Sequence, residues 1–442
     1  MKTQLVVIGG GPGGYAAAFL AADLGMKVTL VEQDAKLGGT CLLRGCIPAK
    51  ALLHVAKTMA DAQHLADWGV SFASPKIEVA VMRDRKEKAI GNLTAGLKQI
   101  AAKRNVQVIR AKAAFEDSNT LKLEGQGDKP LDDDHLRFEH CIDVPETLLV
   151  VGGGYIGLEM GTVYAALGSK VTVVELTDGL LPGVDRDLVK PLHKNLEGRF
   201  AAIHLNTKVA GLKDLKDEIE VALEGNVEQK SQRFSRVLVS VGRKPNSAGL
   251  GLEKTKVQVG PRGFIVVDNR GKTHDANIFA IGDVAGEPML AHKAAHEGKA
   301  AVEVLAGHPV TFEPRAIPAV VFTDPEIAWA GLTETQAKQQ GRNVTVAMFP
   351  WAASGRAQAI GRTEGLTKWL IDPETERVLG CGIVGYAAGD LIAEAVLAIE
   401  MGASARDVVE TIHPHPTFSE TLGAAAEVFY GTATDIYRPR KL

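Results

Sequence analysis

Two cysteines, Cys41 and Cys46, lie five residues apart in the stretch GGTCLLRGCIPAK, which begins at Gly38. The chain has only four cysteines, and the other two, Cys141 and Cys381, are isolated. In a reducing compartment a close pair is more often redox-active or metal-binding than a structural disulfide. Zinc needs about four ligands, and no histidine or second cysteine pair has the required spacing. A redox pair is therefore favoured over a zinc site or two inert buried thiols.

The spacing of the two cysteines sets a geometric condition. Positions five apart on a regular helix point about 140° away from each other, whereas a disulfide needs Cα atoms within roughly 7 Å. The chain around Cys41 must therefore be irregular, which Gly38, Gly39 and Gly45 permit. Pro48 suits the first turn of a following helix, and a helix N-terminus lowers a thiol pKa and favours the reactive thiolate.

The first 32 residues predict a strand, a glycine-rich turn, a helix and a second strand. The apolar run at 4–10 and the run at 27–32 are the strands. The turn carries three glycines with GxGxxG spacing, Gly9, Gly11 and Gly14. In a dinucleotide site such glycines allow a tight turn, room for a pyrophosphate and close helix–strand packing, and the helix N-terminus binds the phosphates. At the end of the second strand, Glu32 could accept both hydroxyls of an adenosine ribose.

The same pattern recurs at 147–175. Its turn contains Gly152, Gly154 and Gly157, and Glu175 occupies the place of the first acid. One GxGxxG is weak evidence, but two copies in full strand–helix–strand context are strong, although solvated strand-end charges remain an alternative for the two glutamates. Two dinucleotide sites and a dithiol on one chain predict electron transfer between FAD at the first site and NAD(P) at the second, with the cysteines as the third redox centre.

A candidate base lies near the C-terminal end, in TIHPHPTFSE at 411–420. His415 is followed five residues later by Glu420, and a carboxylate bonded to one ring nitrogen fixes the tautomer and raises basicity at the other. Because this spacing is also a common accident, two polar residues of a surface loop are the alternative.

The remaining chain completes an α/β organisation with two Rossmann-like dinucleotide-binding domains, for FAD and NAD, and a C-terminal α+β dimerisation domain. A helix is predicted at 185–198, and strands are predicted at EIEVALEG and at RVLVSVG, which ends at Gly242. The segment that begins with GFIVVDNRGKTHDANIFAIG is predicted to form two strands and a turn, followed by a helix from near Leu290. From Pro314, strands VVF, AWAGL, NVTVAMFP, LTKWLID and GCGIVG alternate with helices at 333–340 and 387–401. The predicted domains are 1–142 (FAD), 143–262 (NAD), 263–313 (return to the FAD domain) and 314–442 (dimerisation).

Composition excludes several classes of partner. The net charge of −3 favours neither nucleic acid nor an anionic membrane. No apolar run approaches the ~20 residues that span a bilayer. The apolar run near the N-terminus, LVVI, is too short for a signal-peptide core, so a cytoplasmic location is expected.

Seven motifs occur in the order found in the dithiol-containing flavoprotein disulfide reductases, and the chain resembles that family over nearly its whole length. The motifs are GGGPGG, GGTCLLRGCIPAK, VVGGGYIGLE, VGRKPN, AIGDVAGEPMLAH, FTDPEIAWAGLT and HPHPTFSE. The resemblance implies an enzyme that oxidises protein-bound dihydrolipoyl groups with NAD⁺ through a Cys41–Cys46 disulfide and FAD.

The resemblance also implies a role for each site residue. Cys41 would be the interchange thiol that meets the substrate, and Cys46 would face the flavin. His415 and Glu420 would be the base and its orienting carboxylate, and they would reach the active site of the other subunit of a homodimer. Lys50 would lie by the flavin ring and pair with Glu159, while Asp283 would bind the ribityl chain with Ala291 nearby. Further cofactor contacts are expected at Gly39, Thr40, Val209, Gly242 and Gly282.

Three features select a branch of the family. Glu175 would repel a 2′-phosphate and so favours NAD over NADP. Both active cysteines are present, and the ending DIYRPRKL lacks the second cysteine pair of mercuric reductases. The expected partners are lipoyl domains of a 2-oxoacid dehydrogenase complex or of the glycine cleavage system. An NADPH-linked reductase of a small disulfide is an alternative.

One departure from the family is serious. The family has a strand ending Ala-Thr-Gly beside the flavin, followed by a connector of roughly 30–40 residues. Here LRFEHCI at 136–142 runs directly into DVPETLLVVGGG, and the five residues from Asp143 to Thr147 extend at most about 17 Å. The absence predicts a loosely held flavin ring, and a non-catalytic or flavin-deficient binding or assembly subunit is the alternative function.

Overall fold

The computed structural model describes residues 2–125 and 144–437. They form two compact units, the first drawn from residues 2–52, 78–125 and 242–313, the second from residues 53–77, 144–241 and 314–437. The stretch LRFEHCI, with Cys141, lies outside the described residues.

The described residues form 17 strands and 12 α-helices. The strands are β1 (Leu5–Ile8), β2 (Val28–Glu32), β3 (Gln107–Arg110), β4 (Lys112–Asp117), β5 (Thr120–Glu124), β6 (Thr147–Val151), β7 (Lys170–Val174), β8 (Ala202–His204), β9 (Thr207–Asp214), β10 (Ile219–Gly225), β11 (Ser231–Phe234), β12 (Arg236–Val239), β13 (Ala319–Val321), β14 (Glu326–Gly331), β15 (Thr345–Pro350), β16 (Leu366–Ile371) and β17 (Val378–Gly385). The helices are α1 (Pro12–Asp23), α2 (Gly39–Arg44), α3 (Cys46–His64), α4 (Val79–Lys103), α5 (Tyr155–Ala166), α6 (Arg186–Glu197), α7 (Ala291–Leu305), α8 (Glu334–Gln339), α9 (Gly355–Ile360), α10 (Ala388–Met401), α11 (Ala405–Glu410) and α12 (Glu420–Tyr430).

The first unit is built on a parallel sheet in the order β1-β2-β3. All five residues of β2 are buried, as expected for a parallel strand covered on both faces. Helix α1 begins at Pro12, where a fixed φ and a missing N–H are compatible with the first helical position. Its alanines Ala18 and Ala21 are fully buried against the sheet and α7. The strand–turn–helix–strand prediction for this part is confirmed.

The second unit contains the other strand–helix–strand element, which is also confirmed. Its parallel sheet has the order β12-β6-β7-β8, with α5 between β6 and β7, and a separate antiparallel sheet has the order β11-β10-β9. Strand β12 ends at Val239, three residues before the predicted end at Gly242. At Gly242 the backbone has φ +125°, which interrupts an extended strand.

The C-terminal part of the second unit is an antiparallel sheet in the order β13-β14-β17-β16-β15, and all its predicted strands and both predicted helices are present. Two fully buried tryptophans lie in its core. Trp351 donates to Thr367 Oγ1 at 2.9 Å and Trp369 to the Leu422 carbonyl at 2.9 Å, so neither indole leaves a buried donor unpaired.

A buried lysine ties this sheet to α6 within the same unit. The Lys368 ammonium lies 2.9 Å from Asp185 and 2.7 Å from Asp187, and it also pairs with Glu334. Asp185, Asp187 and Glu334 are close enough together to suggest a metal site. The Lys368 ammonium pairs with all three carboxylates, so we assign this acidic group to a structural contact.

The two strands predicted in GFIVVDNRGKTHDANIFAIG are wrong. The described backbone there forms only isolated bridges, Val259 with Ile265 and Lys272 with Phe279. The chain folds back on itself, since the Ala280 N–H bonds to Gly271 and the Thr273 N–H to Ile278. Helix α7 then begins at Ala291, with Leu290 as its N-cap, as predicted. No helix within residues 2–125 and 144–437 is long and apolar enough to cross a membrane.

Candidate active site

The first glycine turn has little space for side chains. Gly9 has φ +97°, in the region that favours glycine. A Cβ on Gly14 would lie 1.8 Å from the Gly9 carbonyl oxygen, so only glycine allows α1 to approach the strand this closely. The N-cap Gly11 provides no side-chain cap, so N–H groups of the first turn remain available to an anionic ligand. Gly154 is the equivalent uncapped N-cap of α5.

Both strand-end glutamates are buried and hold the turns rather than facing solvent, so the alternative of solvated charges is wrong. Glu32 is 7% exposed and accepts the Gly10 N–H at 2.6 Å and the Asp34 N–H at 2.9 Å. Burial raises its pKa, although those N–H groups oppose the shift.

Glu175 is bound in the same way in the second unit. It is 7% exposed and accepts the Gly153 N–H at 2.7 Å and the Thr177 N–H at 2.8 Å. The Thr177 hydroxyl also donates to Oε1 at 2.9 Å, so Oε2, with one bond, is the oxygen that keeps a lone pair for a ribose hydroxyl.

The two cysteines belong to different helices. Cys41 is in α2 and Cys46 is the first residue of α3, and Gly45 interrupts the helical course between them. The predicted irregularity is thus a helix break, while the short helix α2 was not predicted. The two thiols are hydrogen-bonded to each other, and this bond and burial raise the pKa of Cys41 while the Lys50 ammonium opposes the shift.

A close approach of two glycines places the dithiol segment against the nucleotide turn. A Cβ on Gly39 would lie 2.6 Å from the Gly11 Cα, and Gly39 has φ +60°. Both facts require glycine at position 39, so Gly39 allows the close contact with the nucleotide turn as well as an irregular backbone. The next residue, Thr40, lies in the first turn of α2.

Tyr15 is a neighbour of the thiols that sequence analysis did not identify. It lies on α1, and burial followed by the charges of Cys41 and Cys46 raises the pKa of its phenol. Its position in the sequence, one residue after the last turn glycine, gives no signal of this, because only the fold brings α1 and α2 together.

Two further predicted cofactor residues surround the start of α7. Asp283 lies in a short 3₁₀ turn after Gly282, and its Oδ2 is 3.2 Å from Arg243 Nη1. Arg243 also donates to the Met289 carbonyl at 2.5 Å. Ala291 is the first residue of α7. Arg243, from the VGRKPN motif, was not predicted as a site residue.

The other predicted contacts occupy varied environments. Glu159 is 3% exposed and accepts the Phe322 N–H at 3.0 Å. Val209 lies in β9, where its side chain packs against the apolar cluster around Leu149. The Val209 side chain has no polar group, so its environment does not by itself indicate a binding role.

His415 and Glu420 are in contact. His415 Nδ1 lies 2.8 Å from Glu420 Oε1, and Glu420 Oε2 accepts the Thr417 N–H at 2.7 Å. Burial raises the carboxyl pKa, but the Thr417 N–H and the His415 ring outweigh it and hold the pKa of Glu420 below its usual value. The His415 side chain is 78% exposed, so its Nε2 is open to an incoming group.

A second histidine–glutamate pair lies beside the first and was not predicted. His413 Nε2 is 2.6 Å from Glu394 Oε1, and this hydrogen bond raises the pKa of His413. Glu394 is on α10, so the two residues are far apart in sequence and no local spacing reveals them.

These features define a class of protein, an oxidoreductase with two dinucleotide turns and a dithiol. The model of the pyridine nucleotide-disulphide oxidoreductase family matches residues 3–298, and that of its dimerisation domain matches residues 317–426. The chain therefore belongs to the pyridine nucleotide-disulphide oxidoreductase family, and the predicted resemblance is confirmed. FAD and NAD are the cofactors of this family, and the chain carries its dimerisation domain.

Among curated proteins, the chain is similar to a dihydrolipoyl dehydrogenase of Vibrio parahaemolyticus, with 44% identity over 467 positions covering 99% of this chain and 97% of the relative. A dihydrolipoyl dehydrogenase of Haemophilus influenzae is 45% identical, with the same coverage. Among solved structures, LpdA of Mycobacterium tuberculosis has a TM-score of 0.85 and 25% identity, covering 96% of this chain and 98% of the other. The flavoprotein disulfide reductase RclA of Escherichia coli has a TM-score of 0.82 and 27% identity, covering 96% and 99%.

Proposed function

We propose that this enzyme oxidises protein-bound dihydrolipoyl groups with NAD⁺. The observation that carries the proposal is the hydrogen-bonded pair Cys41 and Cys46 at a helix break, beside the glycine turn of a dinucleotide site. The kinship with dihydrolipoyl dehydrogenases at 44% and 45% identity supports the choice of substrate.

The thiol chemistry follows from the positions of the two sulfurs. In the oxidised protein, a substrate thiolate attacks Cys41 Sγ, a new S–S bond forms, and Cys46 leaves as a thiolate. The second substrate thiolate then attacks the substrate sulfur of that mixed disulfide, and Cys41 leaves. The substrate ends as a cyclic disulfide and the two cysteines as a reduced pair that holds its two electrons. FAD and NAD⁺, when bound, supply the acceptors for those two electrons.

His415 is the proposed base for this step. Its Nε2 accepts the proton of the substrate thiol, while Glu420 holds Nδ1 protonated and orients the ring. The proposal places the base and the dithiol on different subunits of a homodimer, which the dimerisation-domain match and the family resemblance support.

The dimer arrangement has a direct test. A His415→Ala chain mixed with a Cys41→Ser chain should recover activity, because a heterodimer then contains one intact pair. No recovery after confirmed subunit exchange would contradict the arrangement.

The cofactor residues fall into two groups. FAD would be held by Glu32, Thr40, Lys50, Asp283 and Ala291, with the glycines Gly9, Gly11, Gly14, Gly39 and Gly282. NAD would be held by Glu159, Glu175, Val209 and Gly242, with Gly152, Gly154 and Gly157. The crowded Gly14 and the uncapped helix starts at Gly11 and Gly154 suit a pyrophosphate. The proposed domains follow this grouping, with FAD bound by 1–142 and 263–313, NAD bound by 143–262, and dimerisation through 314–442.

Lipoyl domains of a 2-oxoacid dehydrogenase complex or of the glycine cleavage system are the proposed protein partners, and the cytoplasm is the proposed location. The lipoyl group arrives on another protein, which is consistent with the exposure of the His415 side chain.

The direct test is the reduction of NAD⁺ by dihydrolipoamide. Cys46→Ser should abolish it, because that thiolate is the only relay that the proposal provides. Cys381→Ala is the matched control, since this cysteine is 2% exposed in the core of the C-terminal sheet, and it should retain activity. Near-normal turnover in Cys46→Ser would refute the dithiol mechanism.

A further inference from the structure

A pocket of about 410 Å³ in the C-terminal part of the second unit is lined by three arginines and by no acidic side chain. Arg315 precedes β13, Arg342 follows α8, and Arg377 immediately precedes β17. The arginines are therefore brought together only by the fold.

Arg315 and Arg377 converge on one point. A Cβ on Gly402 would lie 2.7 Å from Arg315 Nη1 and 2.9 Å from Arg377 Nη1. The two guanidinium groups thus come within about 6 Å of each other, a distance at which like charges repel. Among residues 2–125 and 144–437, neither guanidinium has a hydrogen bond or an ion pair. The third, Arg342, meets Asp372 at 3.8 Å, the limit of an ion pair.

The carboxylates close by in sequence are engaged elsewhere. Glu376 accepts the Tyr430 hydroxyl at 2.7 Å, and Glu400 accepts the Ala316 N–H at 3.0 Å. Capping of α10 does not account for the two arginines either. The end of that helix is closed by its own backbone, with the Gly402 N–H bonded to Ile399 and the Ala403 N–H to Ala398.

The rest of the lining adds an apolar floor and polar amides. Leu332, Leu379 and Ile399 form apolar surface, and Gln336 and Gln340 offer amide groups. The Gln336 carbonyl oxygen accepts the Thr333 N–H, so its NH₂ group is the part that can donate to a ligand. The volume lies within the range of about 300–1,000 Å³ typical of small-molecule sites.

We propose that this pocket binds a small organic phosphate. The phosphoryl group lies between Arg315 and Arg377, whose planar forks match phosphate oxygens, and the carbon body covers the apolar floor. A dianion there neutralises two cations for which the described fold supplies no partner.

The test is calorimetric titration of the FAD-saturated enzyme with phenyl phosphate, a probe without an adenosine group that the dinucleotide sites would recognise. Saturable binding should weaken at least tenfold in Arg315→Gln and in Arg377→Gln, and should disappear in the double variant. Arg356→Gln is the matched control, because this arginine is exposed in the same part of the chain but does not line the pocket. It should bind like the parent.

Three comparison ligands separate the contributions. Phenol, which has the ring without the charge, should not bind, and inorganic phosphate should bind more weakly than phenyl phosphate. Isophthalate binding as tightly as phenyl phosphate would overturn the phosphate assignment in favour of a dicarboxylate. Equal binding by the parent and a folded double variant, or no binding by the parent at about 10 mM, would overturn the site. Thermal unfolding confirms that each variant is folded.

Discussion

Replacing Glu420 with glutamine is the sharpest perturbation of the proposed base, because both carboxylate oxygens have assigned partners. Oε1 lies 2.8 Å from His415 Nδ1, and Oε2 accepts the Thr417 N–H at 2.7 Å. A glutamine has one acceptor oxygen and one donor NH₂ group. It can therefore keep only one of these two bonds.

The two orientations of the amide differ in cost. If the NH₂ group faced Thr417, two donors would oppose each other and leave a part-buried N–H unpaired, at a cost of about 1–3 kcal/mol. The favoured orientation keeps the Thr417 bond and turns the NH₂ group toward His415. The Nδ1 atom must then be an acceptor, so the ring proton moves to Nε2, the atom that has to take the proton of the substrate.

The expected result is a slower thiol step. General-base assistance contributes about 10²–10⁴-fold, and the exposed His415 ring can partly reorient, so we expect the low end, about 10²-fold. Rapid mixing under anaerobic conditions measures the half-reaction with dihydrolipoamide separately from that with NADH. Only the first should slow.

Glu394→Gln is the matched control, since it perturbs the neighbouring pair with His413, which the mechanism does not use. Its dihydrolipoamide half-reaction should remain close to that of the parent. Equal slowing of both half-reactions in Glu420→Gln, or equal slowing by the two variants, would refute the assignment of the base.

Three further predictions concern stability and the cofactors. Glu394 raises the pKa of His413, so the pair stabilises the fold at pH values below the ordinary histidine pKa of about 6.5 and loses this effect as pH rises through the raised value. Glu394→Gln should therefore lower the melting temperature at about pH 6 and not at about pH 9; an equal decrease at both would contradict it. Glu175→Ala should weaken NADH binding and reduce the ratio by which the enzyme prefers NADH to NADPH, as measured by the dissociation constants of the two nucleotides. An unchanged NADH affinity would show that Glu175 is not part of the NAD site. The alignment with the Vibrio relative spans 467 positions, more than the 442 residues of this chain, as expected if a connector is missing. We therefore expect less than one FAD per chain after dialysis, and we expect added FAD to restore part of the activity. A full, undialysable complement of FAD would show that another segment replaces the missing strand beside the flavin.

The parts of the fold that could be predicted carry their signal within a few neighbouring residues. Each strand–turn–helix–strand element combines apolar strands, spaced glycines and an alanine-rich helix, and the structure has both. The same local reasoning failed at 263–281. There an apolar run reads as a strand, but its backbone folds back on itself and forms isolated bridges.

The parts of the candidate site that could not be predicted depend on contacts between distant segments. Tyr15 approaches the thiols because α1 passes beside α2, and Glu394 meets His413 because α10 packs near the loop before α12. The convergence of Arg315 and Arg377 on Gly402 arises in the same way. By contrast, His415 and Glu420 are only five residues apart, and their contact was predicted from that spacing.

The most direct test of the central claim is differential alkylation of the native enzyme, read by mass spectrometry after anaerobic addition of dihydrolipoamide. We expect Cys41 and Cys46 to be protected in the oxidised enzyme and to become labelled together on reduction, while buried Cys381 stays unlabelled throughout. Labelling of Cys41 and Cys46 that does not depend on dihydrolipoamide would contradict the claim that these two thiols form the redox centre.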